Sequence, residues 1–162
     1  ALEEVRRRNI HVTIVTGRRW LSTRDYAAQV RPTLPVICYC GAKVVDAATE
    51  QVREVHLLPP DLVEDLLGFL AKSDYLYGLY VDDDTYTRAW LTVPGRSPEG
   101  PQPHVHVVPS VADAYCELKL RGPVPVPQFD IFGEEPTREI LEAFPPEGRL
   151  TDYHEAQRFR PP

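Results

Sequence analysis

Four short groups of residues in this chain have types and spacings that could do chemistry. Thr16-Gly17-Arg18 follows the apolar run Val12-Thr13-Ile14-Val15. A hydroxyl at the carboxyl end of a strand, with the free N–H groups of a following helix beside it, is a natural grip for an anion such as phosphate. A plain strand-to-helix turn with a capping threonine accounts for the same residues, so the neighbours must decide. Asp82-Asp83-Asp84 could attract a cation, but consecutive carboxylates lack the alternating ligand spacing of a calcium loop, and between two strand-like runs they read as a solvated hairpin turn. His104-x-His106 would set two imidazoles on one strand face, as zinc requires; with no third ligand nearby in sequence, exposed loop histidines are the plainer reading. Cys38-x-Cys40 would share a strand face, but has neither a second cysteine pair nor a histidine motif beside it.

The elements that must position these groups follow from periodicity and breakers. Residues 1–9 read as the end of an amphipathic helix, with Leu2, Val5 and Ile10 on its apolar side and Arg6-Arg7-Arg8 solvated. The strand over 10–16, β-branched and apolar, suits burial on both faces, and Gly17 allows the tight turn into a helix over 18–30 that Pro32 and Pro35 end. A second strand begins at Val36 and ends at Cys40-Gly41-Ala42. The order helix, strand, helix, strand predicts a parallel α/β sheet with both strand ends at one edge. A helix ahead of a buried strand normally returns from an earlier strand, and the chain opens in mid-pattern, so an internal piece of a longer polypeptide is expected.

Residues 43–46 and 52–57 read as a hairpin leading away from that sheet. After Pro59-Pro60 the texture changes to a helix over 61–70 with Asp61 as its N-cap, then strands over 75–81 and 85–91, an antiparallel hairpin in a separate α+β unit. A long irregular connection over 93–109, a helix over 110–118, a proline-interrupted edge strand over 124–132, a helix over 135–144 and a strand over 150–159 complete the reading.

Composition narrows the function. With 162 residues, 43% hydrophobic and 26% charged, the chain can bury a core. A net charge of −6 with no extended basic block argues against a nucleic-acid surface. No run of eighteen apolar residues predicts a membrane span and no signal-peptide pattern opens the chain. With an odd count of cysteines, 3, favouring reduced thiols, a cytoplasmic protein is expected. No G-x-G-x-x-G follows a strand, which disfavours a dinucleotide-binding domain.

The helix and strand Leu2 to Arg18, the second strand Val36 to Ala42 and the hairpin after it together resemble the haloacid dehalogenase superfamily, specifically the Cof-type, subfamily IIB phosphatases with a large inserted cap. The resemblance implies a partial Rossmannoid parallel-sheet core over 1–57 and an α+β cap of the C2B type, with an antiparallel sheet, over 58–162. It implies that Thr16, with Gly17 and Arg18, binds the transferring phosphoryl group, and that Cys40, Gly41 and Ala42 face the substrate, Cys40 standing where the family usually has asparagine. The implied activity is a magnesium-dependent phosphatase acting on a small phosphomonoester such as a sugar phosphate. The family's D-x-D nucleophile motif, which stands upstream of the threonine strand, its downstream lysine and its metal-holding carboxylate pair match no stretch here, so the chain alone should be inactive. The rival is a non-catalytic α/β module that binds a phosphorylated ligand or a protein partner. Oligomeric state is open.

Overall fold

A computed structural model of the chain describes residues 2–89, 104–132 and 134–144. Its elements run α1 (Leu2–Arg7), α2 (Trp20–Val30), β1 (Val36–Cys38), β2 (Lys43–Val45), β3 (Val52–Val55), α3 (Pro60–Leu70), β4 (Leu76–Val81), β5 (Asp84–Thr87), β6 (Val105–Val107), α4 (Val111–Lys119), β7 (Gln128–Phe132) and α5 (Glu134–Ala143). The chain divides into two compact units, Ala1–Asp130 and Ile131–Pro162.

The first sheet has the order β1-β2-β3 and both pairings are antiparallel. The segment over 10–16 is extended and runs parallel to β1, but makes a single bridge to it, Val15 with Ile37. Even-numbered residues carry the ladder: Val12 and Ile14 carbonyls accept from Thr33 and Ile37, and Thr16 N–H donates to Ile37. Burial on both faces was expected here, yet Val15 is 67% exposed and Ile10 53%. Neither side chain is covered, because the segment is bonded to β1 along one edge and enters no wider sheet among the described residues.

Helix α2 seats Trp20, Thr23 and Ala27, one helical stripe, against Val36, Cys38, Tyr39 and Val45. Thr23 stays satisfied inside that core because its hydroxyl donates to the Arg19 carbonyl at 2.9 Å. The helix closes on Arg31 in a left-handed conformation, φ +50°, whose N–H returns to Ala27, and Pro32 prevents continuation.

The second sheet has the order β6-β5-β4-β7. β4 and β5 form the expected hairpin with Val81 opposite Asp84, so its loop is Asp82-Asp83. β5 and β6 pair in parallel, which makes the sheet around that antiparallel hairpin a mixed one. β7 lies at an edge, and the prolines Pro125 and Pro127 precede it, as an edge strand tolerates. Helix α3 buries Val63, Leu66, Leu67 and Leu70. Its N-cap is Pro59, with Pro60 in the first turn, and the expected cap Asp61 lies inside that turn, where a carboxylate favours the helix dipole. Helix α4 begins at the Ser110 hydroxyl, which accepts from Asp113 N–H at 3.2 Å, and buries Val111 and Tyr115. In the second unit, α5 carries the buried Ile140. The strand expected over 150–159, most of the 93–109 connection and the end of the 85–91 strand lie outside the described residues.

Candidate functional site

Thr16 stands where the extended segment ends. Its carbonyl accepts from Cys40 N–H at 3.2 Å, and the Arg18 carbonyl accepts from Tyr39 N–H at 3.1 Å. Two turns, Thr16-Gly17-Arg18 and Tyr39-Cys40-Gly41, are thereby sewn into one rim, with Ala42 following, its N–H bonded to the Tyr39 carbonyl at 2.9 Å. The Thr16 hydroxyl oxygen accepts from Arg18 N–H at 3.2 Å at an exposed position. A hydroxyl that accepts in this way still carries a hydrogen to donate to a ligand. The Arg18 guanidinium extends along α2 and lies 5.4 Å from the centre of the Tyr26 ring. A hydroxyl, main-chain amides and the N-terminus of α2 are groups that hold an anion.

The second turn differs from the strand end expected for it. β1 stops at Cys38, and Tyr39, Cys40 and Gly41 follow at φ +51°, +53° and +108°. Gly41 is there because a side chain fits poorly at that angle, while Tyr39 and Cys40 each oppose a steric preference of roughly 1–2 kcal/mol. The change of backbone also separates the two cysteines: Cys38 is buried and Cys40 exposed, not side by side on one face. Burial pushes the Cys38 thiol up, so it is a packing group and not a nucleophile.

Tyr39 is held in its conformation by what its side chain does. It is 2% exposed, meets Tyr80 edge to face with ring centres 5.8 Å apart, and its hydroxyl donates to the Asp82 carbonyl at 2.5 Å, with Asp83 Oδ1 at 3.1 Å. Burial, followed by the Asp83 carboxylate, pushes this phenol far above its ordinary range, so it remains a donor throughout the working pH range. Lys43 reaches the same loop, with Nζ 2.9 Å from Asp82 Oδ1 and 3.6 Å from Asp83 Oδ2. Arg19 Nη1 donates to the carbonyls of Asp83 at 2.9 Å and His104 at 3.1 Å, while its Nε donates to Ser22 at 3.1 Å. The Asp82-Asp83 loop is therefore not merely solvated: three side chains from the rim and its flanks tie it down. None of the three was singled out from sequence. The available signal was a lysine at a strand position whose alternation with Val45 points inward.

The parallel register of β5 and β6 supplies the partner that local spacing could not show for the histidines. His104 Nδ1 lies 3.2 Å and His106 Nε2 3.4 Å from the same oxygen, Asp84 Oδ1. The His106 ring stacks on Tyr86 at 4.8 Å. Among the described residues no group of three or more His, Cys, Asp or Glu side chains could hold a metal ion. The described residues thus offer no site that fits the magnesium ion implied by the resemblance. A cavity of about 330 Å³ lined by Arg6, Asn9, Ile10, His11 and Thr33 lies at the far end of the extended segment from Thr16. No described helix is long and apolar enough to cross a membrane.

An extended segment parallel to β1, a rim at its carboxyl end and a second, mixed sheet define an α/β protein. A structure of a haloacid dehalogenase-like hydrolase from B. subtilis superposes with a TM-score of 0.67 at 16% identity, over 88% of this chain and 57% of that one. The HAD subclass IIB sugar phosphatase BT4131 superposes with a TM-score of 0.61 at 18% identity, over 89% of this chain and 54% of that one. In sequence, residues 1–109 match the haloacid dehalogenase-like hydrolase family, and the chain belongs to it. A Mycoplasma pneumoniae protein named "Putative phosphatase" is 27% identical over 85 residues, 52% of this chain and 30% of that protein. The chain therefore spans a little over half of the solved relatives and under a third of the curated one.

Proposed function

We propose that this chain supplies the phosphate-gripping strand end and the substrate-selecting α+β portion of a magnesium-dependent phosphatase that acts on a small phosphomonoester, such as a sugar phosphate. In this reading residues 1–57 are a slice of the catalytic core and 58–162 most of the cap. Thr16, Gly17 and Arg18 hold the transferring phosphoryl group, and Cys40, Gly41 and Ala42 face the rest of the substrate. The observation that carries it is the joining of the two turns through the Cys40 to Thr16 and Tyr39 to Arg18 hydrogen bonds, which gathers every candidate residue at one rim. In this reading the nucleophile and the magnesium ligands are not among the described residues. A cytoplasmic setting agrees with three cysteines that are not joined in disulfides.

The test is a complete polypeptide containing this chain, assayed on a panel of small phosphomonoesters with and without magnesium. Loss of one preorganised donor to a developing charge costs about 10²–10³ in kcat. Thr16→Val is expected to fall in that range. Metal-independent binding of phosphorylated ligands without turnover would establish the non-catalytic alternative instead, and full activity in Thr16→Val would overturn the phosphate-gripping role given to Thr16.

A further inference from the structure

We infer that Arg19 is a positioning residue that couples the Thr16–Arg18 turn to the Asp82-Asp83 loop, so that the phosphate grip and the β4–β5 hairpin move as one body. The inference rests on reading Thr16–Arg18 as the anion-gripping turn. Arg19 directly follows that turn and is the N-cap residue of α2. Its carbonyl is fixed by the first turn of that helix, accepting from Ser22 N–H at 3.2 Å and from the Thr23 hydroxyl at 2.9 Å. Its backbone therefore cannot shift without moving the helix start and the rim together.

The side chain is almost fully buried; its Nε donates to the Ser22 hydroxyl, and its Nη1 donates to main-chain carbonyls 64 and 85 residues away along the chain, Asp83 and His104. Both acceptors belong to the second sheet. Asp83 sits in the β4–β5 loop, and His104 immediately precedes β6, which pairs with β5. A planar guanidinium presents several donors in a fixed fork, so it can hold the start of α2 and the end of the hairpin in one geometry. Tyr39 and Lys43 grip the same loop from the other rim turn and the strand after it. The loop is thus bound from both sides of the rim, and a displacement on either side must be transmitted to the other or break these part-buried hydrogen bonds.

The experiment compares the wild-type 162-residue chain with Arg19→Lys and Arg19→Met by amide hydrogen exchange resolved to single residues. The readouts are the Tyr39 and Cys40 amides, which bond across the rim to Arg18 and Thr16, and the Thr85 amide, which bonds to the His104 carbonyl. The α3 amide of Leu67 is the control for global stability. Arg19→Met is expected to speed exchange at all three readouts at least tenfold more than at Leu67, with Arg19→Lys restoring most of the protection. Equal acceleration at Leu67 and the readouts in both variants, or acceleration at Thr85 with Tyr39 and Cys40 within twofold of wild type, overturns the coupling. Adding inorganic phosphate separates the two claims: absence of protection at residues 16–18 in wild type counts against the anion-gripping reading, while the ligand-free comparison still decides the coupling.

Discussion

The clamp on the Asp82-Asp83 loop should be lopsided in energy, and replacing its two sides separately tests that. The Lys43 side chain is 8% exposed, whereas those of Asp83 and Asp82 are 29% and 69% exposed. Lys43→Met removes the buried ammonium along with the cost of desolvating it, fills the space of its stem, and leaves carboxylates that water can reach. Asp82→Asn with Asp83→Asn does the reverse, stranding an ammonium beside the Tyr39 ring, 5.9 Å from its centre, with no carboxylate. Orphaning a fully buried charge costs about 3–5 kcal/mol. Because Asp82 is mostly in water, the pair is half screened, and ~2–3 kcal/mol is the expected loss for the Asn double variant against ~1 kcal/mol for Lys43→Met. With a urea slope of about 2 kcal/mol/M, the double variant should unfold roughly 1–1.5 M earlier and Lys43→Met roughly 0.5 M earlier. A larger loss in Lys43→Met would refute the reasoning, since it would mean the ammonium's attraction exceeds its burial cost.

Two further outcomes follow from single groups. Asp46 accepts from the Arg53 guanidinium and from the N–H groups of Ala48 and Thr49 at 3.0 and 3.2 Å, and these hold its carboxyl below the ordinary carboxylate range, Arg53 contributing most. Its folded pKa is depressed, so its contribution is complete above the unfolded value of 3.8 and disappears as pH falls through the lower folded value. Asp46→Asn should therefore destabilise at pH 7 and converge with wild type in strong acid, measured by urea unfolding at a series of pH values; a constant gap down to the acid end would contradict it. Among the thiols, Cys40 and Cys116 are exposed and Cys38 is buried. A thiol reagent should titrate two groups rapidly in the native protein and the third only with unfolding, and rapid reaction of all three would disprove the packing of Cys38.

Much of the chain was legible because it is governed by neighbours in sequence. The apolar stripe of Val63, Leu66, Leu67 and Leu70 specified α3, and Ser110 marked the start of α4 by a bond that spans only three residues. The hairpins β2–β3 and β4–β5 were readable from apolar runs on either side of short polar turns. The family, too, was visible in the run from Leu2 to Arg18 and the Cys40-Gly41-Ala42 turn.

Local signals could not show which elements meet. Alternation says that Lys43 shares a face with Val45, but not that this face lies against a loop 39 residues further on. Nothing within His104-x-His106 reveals Asp84, because the carboxylate arrives through a parallel pairing across a long connection. The apolar segment over 10–16 showed an opposite failure: its composition suits a doubly buried strand, yet burial belongs to the covering surface, and Val15 has little of it here. Propensity, periodicity and capping act within a few residues and so were settled by the sequence alone, whereas the rim and its clamp were decided by contacts between distant segments, which only the folded chain brings into hydrogen-bonding range.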